Sequence, residues 1–328
     1  MKRNNKLAFI AVVLAAAAVL LGVYAIRGLL QKTTPKKDDS GQAEAAPNNA
    51  ASSAEERAKV AVNTGHLCME TEPPDLAGAI AAYRSAIERF PGTDGADQAA
   101  ISLADAYLLD KRPLLAEAAL ADYVVKAKNP ELIQAKIGDV NIAILFSPVR
   151  TETPKCLIHT VQSGETLNGI AAKHNTTIDL LRESNRIKDP RLLQIGDRLK
   201  VVTDSFRIVI DKSENTLSLF CHDTLMKKYR VGTGEYNKTP IGDFTIVSKD
   251  MDPPWRGIPF GDPRNVLGTR WMKITDKEGT LSGYGIHGPW EPETIGAHKS
   301  QGCVRLLNED VEEIFKIVTL GTPVSIVE

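Results

Sequence analysis

Cys303 stands between Gly302 and Val304 in the run KSQGCVRLLNED, residues 299–310, a setting that makes it a candidate for thiol chemistry. Acyl transfer through sulfur needs a thiolate, a base to take its proton, and N–H donors aimed at the oxyanion that forms on the attacked carbonyl. A free thiol of pKa about 8.5 is mostly protonated at neutral pH, and a neighbouring imidazolium lowers it by several units. His287 is the natural partner, since in YGIHGPW it closes a short apolar strand and Gly288 follows it. Gly302 admits dihedrals closed to other residues and lets a substrate approach the main chain, so its amide and that of Cys303 are candidate oxyanion donors. Sequence spacing alone proves no contact, because catalytic Cys–His pairs are assembled in space. The remaining histidines, His66, His159, His174, His222 and His298, fall in helical, turn or exposed contexts.

The segment that must position these residues, 205–328, is written in strand language. FRIVIDKSENTLSLFCHD alternates apolar and polar residues around a Ser-Glu-Asn turn, which predicts a hairpin. LMKKYRVGTG, IGDFTIVSK, RWMKIT, YGIHG and PVSIVE supply further strands. One helix is expected, EDVEEIFKIV, with Asn308 as its cap and acidic residues at its positive end. A mostly antiparallel sheet bent around one short helix is the economical arrangement. Gly- and Pro-rich loops such as KDMDPPWRGIPFGDPRN would rim a cleft.

Upstream, residues 157–203 read as strand, helix, helix, strand, with Thr166 and Thr177 or Asp179 placed to start the two helices. Residues 55–150 have helical apolar spacing with short breaks, which predicts antiparallel helical hairpins; Leu76, Ile80, Tyr83 and Ile87 form one stripe that stops at Pro91-Gly92. Residues 31–54 are rich in Ala, Ser, Asn, Pro and charge and are expected to be a disordered tether. Within residues 1–30, Leu7 to Ile26 carries no charge, and twenty apolar residues at about 1.5 Å each span a bilayer's hydrocarbon core of about 30 Å. A retained transmembrane signal anchor is expected there. The fold class is therefore multidomain: a transmembrane helix, an all-α helical-hairpin domain, a small βααβ domain and a mostly β C-terminal domain. A formal net charge of -1 in 328 residues argues against nucleic acid as the main partner.

Two resemblances are specific. V-x-x-G-E-T-L-x-x-I-A at the front of the βααβ segment and L-x-x-G-x-x-L near its end resemble the lysin motif (LysM), which implies binding to N-acetylglucosamine polymers such as peptidoglycan glycan strands. TPIGDFTI (239–246), LGTRW (267–271), YGIHG (284–288) and SQGCVRLLNED (300–310) together resemble the L,D-transpeptidase catalytic domain in order and spacing. The helical hairpins resemble tetratricopeptide helices more loosely, through Tyr83 and Tyr107, which would give that domain a protein partner. By the transpeptidase resemblance Cys303 is the nucleophile and His287 the general base, the Gly302 and Cys303 amides bind the oxyanion, and Arg305 orients the loop or the peptide's carboxylates. Ser300, Tyr284 and Gly288 belong to the same substrate-binding constellation. One position departs from the commoner pattern, since Gln301 replaces a histidine before the Gly-Cys pair and cannot accept a proton at neutral pH.

The reaction so implied transfers the acyl group of a stem peptide to Cys303 as a thioester, then to an amine or to water. Peptidoglycan lies outside the cytoplasmic membrane, so the folded domains are expected on that side, held by the anchor. No cofactor is called for. A zinc site from His287, His298 and Cys303 has ligand-type residues but no metal motif around them. Of the other cysteines, Cys68 with Cys156 is the candidate disulfide, leaving Cys221 over.

Overall fold

The computed structural model describes residues 48–328 except 153, 204, 289 and 290, and the expected span from Leu7 to Ile26 lies outside the described residues. Five helices open the described chain: α1 (Asn48–Met69), α2 (Leu76–Arg89), α3 (Asp94–Leu109), α4 (Pro113–Tyr123) and α5 (Pro130–Leu145). Their starts follow local rules. Asp75 accepts the Gly78 amide, Thr93 accepts the Ala96 amide, and Pro113 and Pro130 occupy first turns where no N–H is needed. Small buried side chains such as Ala79, Ala86, Ala99 and Ala104 let the helices approach closely around Tyr83 and Tyr107. The buried Asp97 carboxylate is fully engaged, accepting from the Tyr123 hydroxyl and from the amides of Lys128 and Asn129. α1 begins at Asn48, earlier than the expected boundary at Glu55, because an alanine-rich run has high helix propensity even where it lacks large apolar residues.

The βααβ piece pairs β1 (Cys156–Thr160) antiparallel with β2 (Arg198–Val202) and packs α6 (Leu167–Lys173) and α7 (Ile178–Ser184) around Leu167, Ile170, Leu181 and Val201. Thr166 and Thr177 cap the two helices. The C-terminal piece contains β3 (Phe206–Asp211), β4 (Thr216–Cys221), β5 (Thr224–Arg230), β6 (Thr233–Gly234), β7 (Gly242–Met251), β8 (Arg270–Asp276), β9 (Tyr284–His287), β10 (His298–Ser300), β11 (Val304–Arg305), α8 (Asn308–Ile317) and β12 (Pro323–Val327). Eight strands form one sheet in the order β11-β9-β8-β7-β12-β3-β4-β5, and β10 pairs with β6 apart from it. The sheet is mixed: β12 runs parallel to β3 and β11 parallel to β9, while the other neighbours are antiparallel.

α8 lays Val311, Ile314, Phe315 and Ile317 onto the sheet. Lys249 of β7 reaches its C-terminal end, donating to the Phe315 and Val318 carbonyls at 2.5 and 2.6 Å, a placement favoured by the helix dipole. Asn308 is not the cap. It is the first helical residue, and its Oδ1 instead accepts from the Thr269 amide at 3.1 Å and faces the Thr269 hydroxyl, tying α8 to the start of β8.

α5 belongs to two cores at once. Ile133, Val140 and Ile144 face the helical bundle, while Ile142 and Leu145 pack into the core of the sheet. The helix thereby covers β5, the sheet's open edge, and Lys227 of that strand pairs with Asp139 at 3.0 Å. Cys68 and Cys156 are not joined to each other, which corrects the expected Cys68–Cys156 disulfide. Cys68 ends α1 against the helical core, whereas Cys156 lies in β1, where its thiol donates to the Pro154 carbonyl, so the two belong to different packing units.

Candidate active site

His287 is the last residue of β9, and Cys303 immediately precedes β11. Those strands pair in parallel with Val304 opposite Ile286 and Arg305 opposite His287. Continuing that register sets Cys303 opposite Gly285, so it shares a sheet face with His287, one strand over and two residues back. Strand spacing of about 4.8 Å and two rises of about 3.3 Å put their Cα atoms roughly 8 Å apart. Both line a cleft of about 710 Å³ whose walls include Trp255, Arg256, Trp271 and Arg305. A smaller hollow of about 200 Å³ between Asn175 and Thr319 carries neither nucleophile nor base.

His287 is 2% exposed, and its Nδ1–H donates to the Gly288 carbonyl at 2.6 Å. Burial, helped by the Arg305 guanidinium, lowers its pKa to about 4 against the pull of the Gly288 and Leu267 carbonyls. Trp271, its cross-strand partner, lies with its ring 5.6 Å from the imidazole. Burial pushes the Cys303 thiol up, opposed by a hydrogen bond from the Gly285 amide and by Arg305. The Cys303 Sγ is directed at the Gly283 carbonyl, 3.9 Å away, and is not hydrogen-bonded to His287. Burial thus favours the uncharged form of each group.

The loop around Cys303 is tightly organised. Gly302 has φ +124°, and a Cβ there would lie 2.8 Å from Tyr284 Cε1, so Tyr284 packs directly on the glycine. Ser300 Oγ accepts the Gly302 amide at 3.0 Å and donates to the Cys303 carbonyl at 2.6 Å. The Gly302 amide, one of the two expected oxyanion donors, is thus engaged by Ser300. Gly288 is required for space: a Cβ would fall 2.0 Å from Asn308 Oδ1. Arg305 Nη1 lies 3.4 Å from Thr294 Oγ1 and 3.8 Å from Glu291, and its Nε is buried without a hydrogen-bond partner among the described residues. Gln301 has a structural task, donating to Glu235 at 3.0 Å and accepting from Lys238 at 2.8 Å, which clasps the Cys303 loop to the neighbouring turn. His298 is held by Thr233 and Asn215 and is absent from the cleft wall, so the structure does not bring it together with His287 and Cys303.

The L,D-transpeptidase catalytic-domain family model matches residues 205–326, and Bacillus licheniformis YkuD is 34% identical over 177 residues, 52% of this chain and 98% of that protein. The chain belongs to the L,D-transpeptidase family. The LysM domain model matches residues 159–202 of this L,D-transpeptidase. Bacillus subtilis YqjB is 33% identical over 124 residues, covering 37% of the chain and 70% of the relative. Among solved structures, an L,D-transpeptidase from Mycobacterium smegmatis aligns at 21% identity over 41% of this chain and 65% of its own, with a TM-score of 0.33. The enzyme is a transpeptidase acyltransferase built from a helical region, a LysM domain and a mostly β catalytic domain.

Two participants of this L,D-transpeptidase's site escaped residue-level reading. Trp271 and Thr239 sit in the quoted motifs LGTRW and TPIGDFTI, but neither side chain carries a titratable group that would single it out. Only the motif context pointed to them.

Proposed function

We propose that the enzyme crosslinks or remodels peptidoglycan stem peptides through a thioester on Cys303. The observation that carries this reading is the common sheet face of Cys303 and His287, open to one large cleft. With Nδ1 donating to Gly288, Nε2 would be the nitrogen that takes the thiol proton. Sulfur attacks the carbonyl of the third stem residue as Nε2 takes the proton. The terminal D-alanine leaves with that proton, and the acyl group stays on Cys303. An amine of a neighbouring stem then attacks the thioester, His287 again serving as base. Arg305, charged and only partly paired, would attract a carboxylate of the peptide.

The LysM domain would hold glycan strands and raise the local concentration of stems, and a protein partner would use the helical region. Peptidoglycan as substrate places these domains outside the cytoplasmic membrane, with the apolar segment Leu7–Ile26 as anchor. Muropeptide product analysis with the wild-type chain and Cys303→Ala tests the reading. Crosslinked products formed by the wild type alone support it; glycan binding without any turnover would leave a wall-binding scaffold.

A further inference from the structure

The Gly302–Cys303 peptide unit is gripped through its carbonyl by a side chain outside the cleft wall. Thr239, 1% exposed, accepts the Gly234 amide at 2.7 Å with its Oγ1 and donates the same hydroxyl to the Gly302 carbonyl at 3.0 Å. A trans peptide is planar, and its C=O and the following N–H point in opposite directions. With the Gly302 carbonyl turned to Thr239, the Cys303 N–H is turned away from it. Cys303 lines the cleft and Thr239 does not, so the N–H faces the side on which substrate would lie. Glycine has no Cβ to prevent this peptide from flipping, and Gly302 sits at φ +124°, where other residues are strained. Something else must select the flip state.

We propose that Thr239 is a positioning residue whose hydroxyl fixes the Gly302–Cys303 peptide so that the Cys303 N–H meets the oxyanion. The inference rests on Cys303 being the nucleophile. As the Sγ–C bond forms, the carbonyl electron pair moves to oxygen, and that oxyanion accepts the Cys303 N–H. Its collapse breaks the C–N bond, and the departing amine takes the proton held by His287. Alkylation of the same sulfur by iodoacetamide displaces iodide from a tetrahedral carbon and forms no oxyanion. A hydroxyl that only orients the donor should therefore matter to the first reaction and not the second.

The experiment compares full-length wild type, Thr239→Val and Thr239→Ser in two reactions: acylation by a disaccharide tetrapeptide, followed by mass spectrometry, and alkylation by iodoacetamide. Loss of an oxyanion donor typically costs about 10²–10³ in kcat, and a misdirected one should cost about 10- to 100-fold. Thr239→Val is expected to slow acylation by that factor, with KM and the alkylation rate within about twofold of wild type, and Thr239→Ser to restore acylation. Acylation at the wild-type rate in Thr239→Val, or an equal loss of both reactions, would overturn the proposal. A Thr239→Ser variant as slow as the valine variant would also overturn it, assigning the effect to methyl packing. If wild type itself forms no adduct on Cys303, the reaction reading fails first, and this inference with it.

Discussion

Lys200 Nζ lies 3.1 Å from the Leu145 carbonyl and also donates to the carbonyls of Ile144 and Ser147, so a LysM side chain caps a helix of the domain before it. That ammonium is 2% exposed and sits at the negative end of α5, whose other face closes the edge of the catalytic sheet. The contact ties three pieces of chain together through one helix.

Lys200→Met should therefore destabilise the enzyme. Stranding buried carbonyls costs on the order of 1–3 kcal/mol each, and partial relaxation makes about 2 kcal/mol the expected loss in urea unfolding. Lys228→Met, which breaks a pair with Glu214 in which both side chains are about half exposed, should change stability by less than about 1 kcal/mol. Equal effects of the two substitutions would mean that the Lys200 cap adds nothing.

Stability should also depend on His287. Its folded pKa is lowered to about 4 from an ordinary value of 6.5, so the unfolded chain binds the proton more readily. The neutral imidazole's contribution is complete above the unfolded value and is lost as pH falls from 6.5 towards 4. The shift corresponds to about 3 kcal/mol. In denaturant titrations, the wild type should lose about that much more stability than His287→Gln across this window. Parallel pH curves for the two proteins would contradict the buried neutral imidazole.

The Cys303 thiol, raised above the ordinary range by burial, should react with iodoacetamide slowly near neutral pH. The rate should climb with pH and show no plateau between about pH 6 and about pH 8. A rate already flat across that range would reveal a preformed thiolate–imidazolium pair.

Gly302→Ala should be more damaging than an ordinary surface change. It forces a side chain into φ +124° and against Tyr284, a strain of about 1–3 kcal/mol, and it displaces the peptide that carries the Cys303 N–H. Activity is expected to fall at least about 100-fold, beyond what the stability loss explains. Steady-state turnover and thermal unfolding of the same preparation check this.

What the sequence disclosed follows from how local each signal is. The hairpin at Ser213-Glu214-Asn215, the Thr166 and Thr177 caps and the apolar stripe of α8 depend on neighbours a few residues apart, and the structure has them where they were expected. The parallel pairings of β12 with β3 and β11 with β9 join distant segments and leave no periodic trace. Asn308 has a side chain suited to capping, but the Thr269 amide, brought near by the fold, captured it. The Gly302 amide looked free because a hydroxyl two residues back, on Ser300, shows its claim only in three dimensions. Cys303 and His287 were legible as chemistry; the burial that favours the uncharged form of each was not, since no spacing reveals it.

The most direct test of the account is to incubate the full-length enzyme with a disaccharide tetrapeptide and no acceptor, then digest it and locate the acyl group by mass spectrometry. The account predicts an adduct with the mass of the donor minus D-alanine on the peptide containing Cys303, absent in Cys303→Ala and strongly slowed in His287→Gln. An adduct on another residue, or product formation undiminished in Cys303→Ala, would contradict it.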